Sequence, residues 1–433
     1  MVSTEEVERF MTALALTDVT VLDLGQAFMG PYCALLMQRL GADVIKVEPP
    51  QGEPYRRPTA RKGVEAVQFS LLNAGKRSLC LDLKKPAGRE VFVELAKTVD
   101  VVIQNFAPGV FDRLVDGDAL LTANPRLIVA SGSGYGSTGP YSSLRAMDLT
   151  IQAMSGAMAT TGFEDSSPVR TGPAVVDFMG GAHLFGAVMA ALFQRATTGK
   201  GQHVEVALYD AILPSLASNI GGYFDSDGTI PERTGNRHGG LAVAPYNAYP
   251  TSDGWIAILC LRDRHWDALC AVMQRPELAD DPQLGSTPGR VAAMDRVDSV
   301  VGEWTATRPT TDVVDVLNGA GVPCAPVLSL KQVLADPHLK ARGMLEHHAN
   351  AERDWWTFGS PVRLDHSPST TENVPARLGE HSREILAEKL SLPNGRLEEL
   401  TRNGAVVQFG ETPDGRDNAN ARPSLALADT ADV

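Results

Sequence analysis

Asp177 is the residue whose surroundings are hardest to explain by packing alone. It follows the apolar run 174–176 and precedes Gly180, Gly181 and a long hydrophobic segment. Aspartate is rarely buried without a partner, so two interpretations compete. As a helix N-cap, its side chain would accept amide hydrogen bonds. As a nucleophile, it would be a carboxylate held at a helix N-terminus and able to form a covalent intermediate. Residue types alone favour the cap. The choice between cap and nucleophile depends on motifs elsewhere in the chain.

Motifs for several other chemistries are absent from the sequence. The turn Gly25–Gly30 does not spell the GxGxxG that cradles a dinucleotide pyrophosphate, and no GxxxxGK[ST] phosphate loop occurs. Gly132–Gly136 lacks the GxSxG spacing of a hydrolase nucleophile elbow. The five cysteines form no CxxC pair and the nine histidines form no HExxH pair. The sequence therefore predicts neither a disulfide framework nor a metal site.

Alternating apolar runs and helical segments predict the elements that position Asp177. Thr20–Leu24 has the composition of a strand buried in a parallel sheet, a helix follows, and 42–48 is a second strand. The βαβ pattern recurs, with a helix over 91–98 and strands over 101–103 and 127–130. The predicted fold class is α/β: a large Rossmann-like, doubly wound domain without a dinucleotide signature, plus a smaller α/β domain.

The length of the chain predicts more than one domain. A chain of 433 residues exceeds what one hydrophobic core usually supports. The composition shifts to Gly, Asn, Asp and Pro over 221–250, as at a domain boundary. The predicted organisation is the first part of the large domain at 1–224, a small α/β domain at 225–330, a return to the large domain at 331–403, and a polar C-terminal tail at 404–433.

Charge and hydropathy narrow the class of partner. Acidic side chains outnumber basic ones by 52 to 39, and the net charge of −13 argues against general nucleic-acid binding. The apolar run from Gly180 to Phe193 is interrupted by His183, and we expect it to be too short to span a bilayer. The first residues show no basic region before an apolar core. We therefore expect a cytoplasmic protein with neither membrane nor nucleic-acid partners.

Six ordered segments carry motifs that occur together in one family. They are Val21–Glu48 with Gly30-Pro31, Asn73–Ser78 with Leu81–Lys84, Asn105–Gly109 with Arg113, Gly134–Pro140, the Asp177 segment from Pro168, and Thr198–Gln202. In this order they resemble the class III CoA-transferases, the carnitine/formyl-CoA transferase group of the CaiB/BaiF type. Each motif alone is weak, but chance agreement of all six in one order is improbable.

This resemblance implies transfer of coenzyme A (CoA) from an acyl-CoA donor to a small carboxylic acid, without a permanently bound cofactor. Asp177 would attack the donor thioester to give a mixed anhydride, and the released thiolate would then form an aspartyl-CoA thioester. Apolar neighbours and a glycine lid would shield the anhydride from water. Amides at the helix start would keep the Asp177 carboxylate ionised. The resemblance also implies an interlocked homodimer.

The resemblance assigns two further groups of site residues. Those that would contact CoA are Lys76, Arg77, Asn105, Phe106, Arg113 and Arg145. Those that would form the substrate pocket and its lid are Gln26, Ala27, Phe28, Met29, Met147, Gly239 and Gly240. Each group has an ordinary alternative: a solvated surface for the basic residues, core packing for Phe106, and a domain-linker turn for Gly239-Gly240.

Departures from the family pattern bear on the substrate. Phe28 or Met29 stands where the family often has a glutamine, unless Gln26 takes that role. Ala107 replaces a common basic residue, and Met147 replaces a tyrosine that often precedes the next acidic residue. The side chains of Phe28, Met29 and Met147 predict an acceptor pocket that is too apolar for oxalate or formate.

Two other functions stay open at this point. The α-methylacyl-CoA racemases share the fold and move an α-proton with a histidine and the shared aspartate. Met147 occupies that histidine position and carries no transferable proton. His183 is interpreted as a packed or capped histidine, whereas His238, beside Gly239, would restore proton transfer if its loop closed over the site. A non-catalytic CoA-binding paralogue is the second alternative, and the intact Asp177 motif argues against it.

Overall fold

The computed structural model describes residues 14–56, 66–367 and 374–410. The strands are β1 (Thr20–Asp23), β2 (Asp43–Glu48), β3 (Arg77–Leu81), β4 (Val101–Gln104), β5 (Ile128–Ser133), β6 (Gln202–Ala207), β7 (Tyr246–Pro250), β8 (Trp255–Leu259), β9 (Cys324–Pro326), β10 (Leu345–Ala349), β11 (Asp354–Phe358) and β12 (Val406–Val407). The helices are α1 (Met29–Arg39), α2 (Val67–Asn73), α3 (Pro86–Ala96), α4 (Val110–Leu114), α5 (Gly117–Ala123), α6 (Asp148–Met154), α7 (Val175–Thr198), α8 (Leu208–Ile212), α9 (Ala217–Asp225), α10 (Asp263–Val272), α11 (Thr287–Ala292), α12 (Met294–Ala306), α13 (Thr310–Gly319), α14 (Leu330–Ala335), α15 (Pro337–Ala341), α16 (Ser382–Leu390) and α17 (Asn394–Arg402).

The chain separates into two compact units. The first comprises the described residues of Met1–Ile151, Ala174–Ala211 and Pro337–Val433, and the second comprises Gln152–Pro173 and Ile212–Asp336. The second unit therefore begins before the boundary expected at residue 225. It also includes a segment ahead of Asp177 that the sequence pattern assigned to the large domain.

A seven-stranded sheet in the first unit has the order β12-β3-β2-β1-β4-β5-β6. Strands β1 to β6 pair in parallel, whereas β12 runs antiparallel to β3. The order 3-2-1-4-5-6 is the doubly wound Rossmann arrangement. This confirms the large parallel sheet predicted from the βαβ pattern. The order reverses between β1 and β4, so the carboxyl ends of these two strands border a crevice.

The central strands are apolar because both of their faces are covered. All four residues of β4 are buried, and β1 is buried from Val21 to Asp23. Their side chains join a core that includes Leu22, Ile45, Leu79 and Phe92. Continuous apolar runs meet this requirement of a parallel sheet. Asp23 is the charged exception in β1, and its partners lie at the site described below.

The end of the chain is ordered further than its polar composition indicates. Ala405, Val406 and Val407 are buried, and β12 pairs with β3 through Val406–Leu81 and Val407–Cys80. A short apolar run beside an open sheet edge gains ladder hydrogen bonds there. The polar tail predicted from residue 404 therefore starts too early, and its residues 411–433 lie outside the described residues.

The helix α7 carries Asp177 in its first turn and has one buried stripe. The stripe consists of Val176, Gly180, Gly181, Leu184, Val188, Ala191 and Arg195. Its spacing of three or four residues is that of one face of a helix. With 24 residues, α7 extends beyond the apolar run 180–193 and is the one described helix that is long and apolar enough, by length and composition, to cross a membrane. Core helices also pass that test, and α7 packs against α1 and β5 and buries Arg195, which pairs with Asp100.

The second unit contains an antiparallel sheet of order β7-β8-β9. Helices α10, α12 and α13 cover it and form a separate core that includes Trp266, Leu269, Val297 and Val313. The second unit thus contains both helices and strands, and its sheet is built by antiparallel pairing rather than by βαβ crossovers.

Candidate active site

The site begins at the crevice between β1 and β4. The first loop, which we define as Gly25–Phe28, follows β1 and leads into α1, and Asn105 directly follows β4. Asn105 Oδ1 accepts the Gln26 amide N–H at 2.7 Å, and Asn105 Nδ2 donates to the Gln26 carbonyl at 3.0 Å. Ligands of open α/β sheets bind in this crevice, where the strand order reverses. Asn105 therefore fixes the first loop at the expected ligand position.

A buried ionic cluster lies beneath the first loop. Lys76 Nζ donates to Asp23 Oδ2 at 2.8 Å, and Lys46 lies 3.7 Å from the same oxygen. Asp23 Oδ1 accepts the Gly25 amide at 2.8 Å, and Lys46 donates to the Gly25 carbonyl oxygen. Burial alone would raise the pKa of Asp23, but the two ammonium groups and these hydrogen bonds lower it below its ordinary value. The cluster thus holds a permanent carboxylate beneath the loop.

Asp177 occupies the third position of α7 rather than its N-cap. Ala174 is the N-cap residue and supplies no side-chain hydrogen bond. Instead, Asp148 Oδ2 accepts the amide N–H groups of Val176 at 3.0 Å and of Asp177 at 3.3 Å. Asp148 therefore does the capping that the sequence pattern assigned to Asp177. This leaves the Asp177 side chain available for another role.

The electrostatic surroundings of Asp177 disfavour its ionised form. Burial, and secondly the charge of Asp148, raise the pKa of Asp177 to about 7. The family resemblance implies that amides at the helix start keep this carboxylate ionised. That expectation was wrong, because two of these amides donate to Asp148 instead. Asp177 therefore changes its protonation state near neutral pH.

The face of α7 that bears Asp177 is directed at the start of α1. A Cβ at Gly180 would lie 3.2 Å from Met29 Cε, and one at Gly181 would lie 2.7 Å from the Met29 carbonyl oxygen. Residues i, i+3 and i+4 share a helix face, so Asp177 lies one turn earlier on the same face. The two glycines permit the close approach of the helices that brings Asp177 towards the first loop.

Aromatic side chains surround this junction. The Phe28 ring lies 5.0 Å from the Tyr55 ring and 5.6 Å from the Phe178 ring, measured between centroids. The Tyr32 and Phe178 rings are 4.9 Å apart. Phe178 is the residue after Asp177, so the first loop and the start of α7 meet through a cluster of rings. Tyr32, Tyr55 and Phe178 were not predicted, because no motif marks contacts made between distant segments.

Comparison with known proteins identifies the family. The model of CoA-transferase family III matches residues 16–382. This chain belongs to CoA-transferase family III. It is 34% identical over 412 residues to the formyl-CoA:oxalate CoA-transferase of Streptomyces coelicolor, covering 92% of this chain and 100% of the relative. It is 37% identical over 388 residues to the succinyl-CoA:mesaconate CoA-transferase of Haloarcula hispanica, covering 86% and 96%. The crystal structure of a CAIB/BAIF family protein from Brucella suis matches with a TM-score of 0.75 and 34% identity, covering 87% of this chain and 100% of that chain.

Family membership confirms the resemblance, but two of the basic residues assigned to CoA are used inside the fold. Lys76 is 3% exposed, and besides Asp23 it donates to the Pro31 carbonyl and to Asn73 Oδ1, each at 2.9 Å. All three of its protons therefore have acceptors, and none is left for a CoA phosphate. Arg77 pairs with Asp43 at 2.6 Å and with two glutamates of α16. Both side chains tie β3 to its neighbours.

The remaining residues assigned to CoA lie in different surroundings. Asn105 is committed to the first loop, and Phe106 packs against the core of the first unit, as its ordinary alternative predicted. Arg113 and Arg145 are exposed, and neither has an ion-pair partner among the described residues. Of the six residues, these two arginines are therefore the exposed cations without an ion pair in the described part of the chain, and their contact with CoA stays a prediction.

The residues of the first loop, α1 and the segment before α6 that were assigned to the substrate pocket lie in the core, in the first loop and at the surface. Met29 is 2% exposed and packs against Gly132 and Gly180, so it belongs to the core rather than to a pocket lining. Gln26, Ala27 and Phe28 are partly exposed in the first loop. Met147 is 65% exposed, which places it at the surface of this chain.

Gly239 and Gly240 lie in the second unit, packed against α9. A Cβ at Gly240 would lie 2.6 Å from the Ser218 carbonyl oxygen, and one at Gly239 would lie 2.8 Å from Asn219 Oδ1. His238 Nδ1 accepts the Gly240 and Ala242 amides at 3.2 and 3.4 Å. Close packing accounts for these glycines, and the Nδ1 lone pair of His238 is occupied by its own turn.

Proposed function

We propose that this chain transfers CoA from an acyl-CoA to a carboxylic acid through an aspartyl-CoA thioester on Asp177. The observation that carries the proposal is the position of Asp177. It is a partly buried carboxylate with a pKa raised to about 7, on the helix face directed at the start of α1. A carboxylate in such surroundings is both destabilised as an anion and sheltered from water, which suits a nucleophile that forms an anhydride.

The reaction needs no external proton, oxidant or metal. The Asp177 carboxylate attacks the thioester carbon, and CoA leaves as a thiolate while a mixed anhydride forms. The thiolate then attacks the Asp177 carbonyl carbon and releases the donor acid as a carboxylate. The acceptor carboxylate attacks the resulting aspartyl thioester, and CoA thiolate attacks the acceptor carbonyl of the second anhydride. Asp177 is regenerated, and the acceptor leaves as its CoA ester.

The N-terminus of α1 supplies a second element of this proposal. Phe28 is its N-cap and makes no side-chain capping bond. The amides of Met29 and Gly30 have no acceptor within the helix, because the first turn of any α-helix lacks one. These groups and the helix dipole favour negative charge nearby. They are suited to stabilise the oxyanion that forms when Asp177 or the thiolate attacks.

The aromatic cluster supports an acceptor larger and more apolar than oxalate. The relatives are named for oxalate and mesaconate, and this chain places Phe28 between Tyr55 and Phe178 beside the proposed nucleophile. A buried polar dianion would be poorly solvated against such rings. We therefore expect higher turnover with a monocarboxylic acid that carries an apolar chain or ring.

A homodimer is part of the proposal. The surface of α7 opposite its buried stripe carries Ala182, Gly186, Ala190 and Phe193, and Phe193 is 81% exposed. A second copy of this chain would remove this surface from water. Light scattering of the purified protein after size exclusion should give twice the chain mass, and a monomer at micromolar concentration would contradict this part.

The function is tested by a mass-spectrometric screen of acids against succinyl-CoA and acetyl-CoA. The wild type should form new acyl-CoA esters, and Asp177→Asn should lose the activity. Asp315→Asn, which changes an exposed aspartate of α13 outside the six motifs, is a matched control that should stay active. Hydroxylamine added after acyl-CoA should modify Asp177 in the wild type. Exchange of the α-proton of a 2-methylacyl-CoA in D₂O, without an acceptor acid, would instead indicate the racemase.

A further inference from the structure

The first loop is held almost entirely by side chains from other segments. Its five inward backbone groups are the N–H and C=O of Gly25, the N–H and C=O of Gln26, and the N–H of Ala27. Their partners are the side chains of Asp23, Lys46, Asn105 and Glu53. A loop whose backbone is bonded in this way is fixed before any ligand arrives.

Glu53 differs from the other three partners. It comes from the segment after β2 rather than from a strand or strand end of the switch-point crevice, and it is 4% exposed. Its Oε2 accepts the Ala27 amide at 3.1 Å, while its Oε1 has no hydrogen-bond partner in the described part of the chain. Its own backbone N–H is held by Glu48 Oε1 at 3.1 Å.

The hydrogen bond from the Ala27 amide to Glu53 stabilises an unusual backbone conformation of Ala27. Ala27 has a φ of +59°, in the left-handed region that a residue with a Cβ adopts only at a cost. Such a conformation persists only where the surroundings impose it. Two residues after Glu53, the Tyr55 ring contacts the ring of Phe28. The segment 53–55 therefore holds both the backbone of Ala27 and the side chain of its neighbour.

We infer that Glu53 is a positioning residue for the reaction at Asp177: it locks Ala27 in the left-handed conformation and so sets Phe28 against Phe178. The inference rests on the proposed function, since it concerns the placement of the ring cluster beside the nucleophile. Glu53 touches no reacting atom and acts through the first loop.

The contact needs an acceptor and not a charge. Burial raises the pKa of Glu53, Lys46 beside it lowers that pKa, and Glu48 raises it again. Whether Glu53 is protonated on Oε1 or ionised, Oε2 can accept the Ala27 amide. A glutamine, whose carbonyl oxygen is also an acceptor, should therefore replace Glu53, and a leucine should not.

The test compares Glu53→Gln and Glu53→Leu, with Ser382→Ala as the stability control. Ser382 accepts the Cys80 amide and donates to Val407 at the far edge of the same sheet, so its loss weakens the first unit without touching the loop. If the leucine variant does not fold, Glu53→Ala takes its place. The readouts are amide hydrogen exchange of a peptide spanning 24–29 and the single-turnover rate of aspartyl-CoA thioester formation.

We expect Glu53→Leu to lower the thioester rate by about 10- to 100-fold, because small misplacements near reacting groups cost this much. The KM for acyl-CoA should change by less than about 3-fold, as expected when an interaction acts mainly in the transition state. Exchange at the loop should rise in the leucine variant only. Glu53→Gln and Ser382→Ala should both stay within about 3-fold of the wild-type rate.

Three results would overturn the inference. The first is a leucine variant with the wild-type thioester rate, and the second is a glutamine variant as slow as the leucine variant. The third is a loop whose amides exchange as fast in Ser382→Ala as in Glu53→Leu. If the wild type itself forms no thioester, the proposed function fails instead. The exchange measurement then still decides whether Glu53 holds the loop.

Discussion

Asp23 and Asp177 are two aspartates of the first unit that are shielded from water, but the charges beside them have opposite signs. Asp23 is fully buried, with Lys76 at 2.8 Å and Lys46 at 3.7 Å, and its pKa is lowered. Asp177 is partly buried, and burial together with the negative charge of Asp148 raises its pKa to about 7. Burial is therefore common to both, and the sign of the neighbouring charge separates them.

This difference explains which carboxylate is suited to chemistry. The anion of Asp23 is stabilised by two ammonium groups and accepts the Gly25 amide, so it is a weak nucleophile with a structural role. The anion of Asp177 lacks such stabilisation, and attack on a carbonyl carbon would relieve the unfavourable charge. Perturbed groups of this kind are typical of functional sites. The structural aspartate in turn fixes the loop that faces the reactive one.

Removing the charge of Asp23 should have the largest effect on stability. Asp23→Asn removes the carboxylate that two buried lysines share, and breaking a buried pair in this way costs about 3–5 kcal/mol. Urea denaturation at pH 7 measures the loss. Asp43→Asn, in partly exposed pairs with Arg77 and Lys389, is the control and should cost about 1 kcal/mol or less for each pair. Equal losses in the two variants would remove the distinction between the buried cluster and a surface pair.

Asp177→Asn should instead increase the stability of the folded protein. Its folded pKa of about 7 lies above the value of about 3.9 expected for an unfolded chain, so folding takes up a proton between these pH values. Stability therefore falls as the pH rises from about 4 to about 7. Asp177→Asn cannot ionise and should be about 1–3 kcal/mol more stable than the wild type at pH 8, with the gain vanishing towards pH 4.

Urea denaturation at several pH values checks this prediction. Asp112→Asn, which changes an exposed aspartate of α4, should follow the wild-type pH dependence. A destabilised Asp177→Asn at pH 8 would mean that the ionised carboxylate has a stabilising partner. Asp177 would then resemble Asp23, and the comparison between the two would fail.

The sequence allowed prediction of the parts of the site that depend on local pattern and order along the chain. Buried parallel strands require apolar runs, so the central sheet was predictable from composition alone. Asp177 was singled out because ordered motifs flank it, and its catalytic role stays a prediction. Glu53, Tyr55 and Phe178 were missed, since their contacts with the first loop join segments 26 to 150 residues apart.

Lys76 and Arg77 show why adjacent basic residues were misinterpreted. As a pair they resemble a phosphate site, but they stand at the start of β3, where successive side chains point to opposite faces. Lys76 turns towards the buried Asp23, and Arg77 turns towards Asp43 and α16. Tertiary packing decides which segments cover each face of a strand. The residue types of the strand do not reveal this. The same limit applies to Gly239-Gly240, where close packing and mobility require the same residue.

The smallest expected effect separates the two causes of the raised pKa of Asp177. Asp148→Asn keeps an oxygen that can cap α7, because asparagine accepts amides as aspartate does, but it removes the negative charge. The acid limb of the pH dependence of kcat/KM, expected near pH 7 in the wild type, should move to lower pH. It should not reach the value of a free aspartate, because burial is the larger cause and is unchanged.

Asp148→Ala, which also removes the cap, should cost about 1 kcal/mol of stability in addition. An acid limb that stays in place in the asparagine variant would assign the whole shift to burial, and the contrast with Asp23 would then lie only in the lysines that Asp177 lacks.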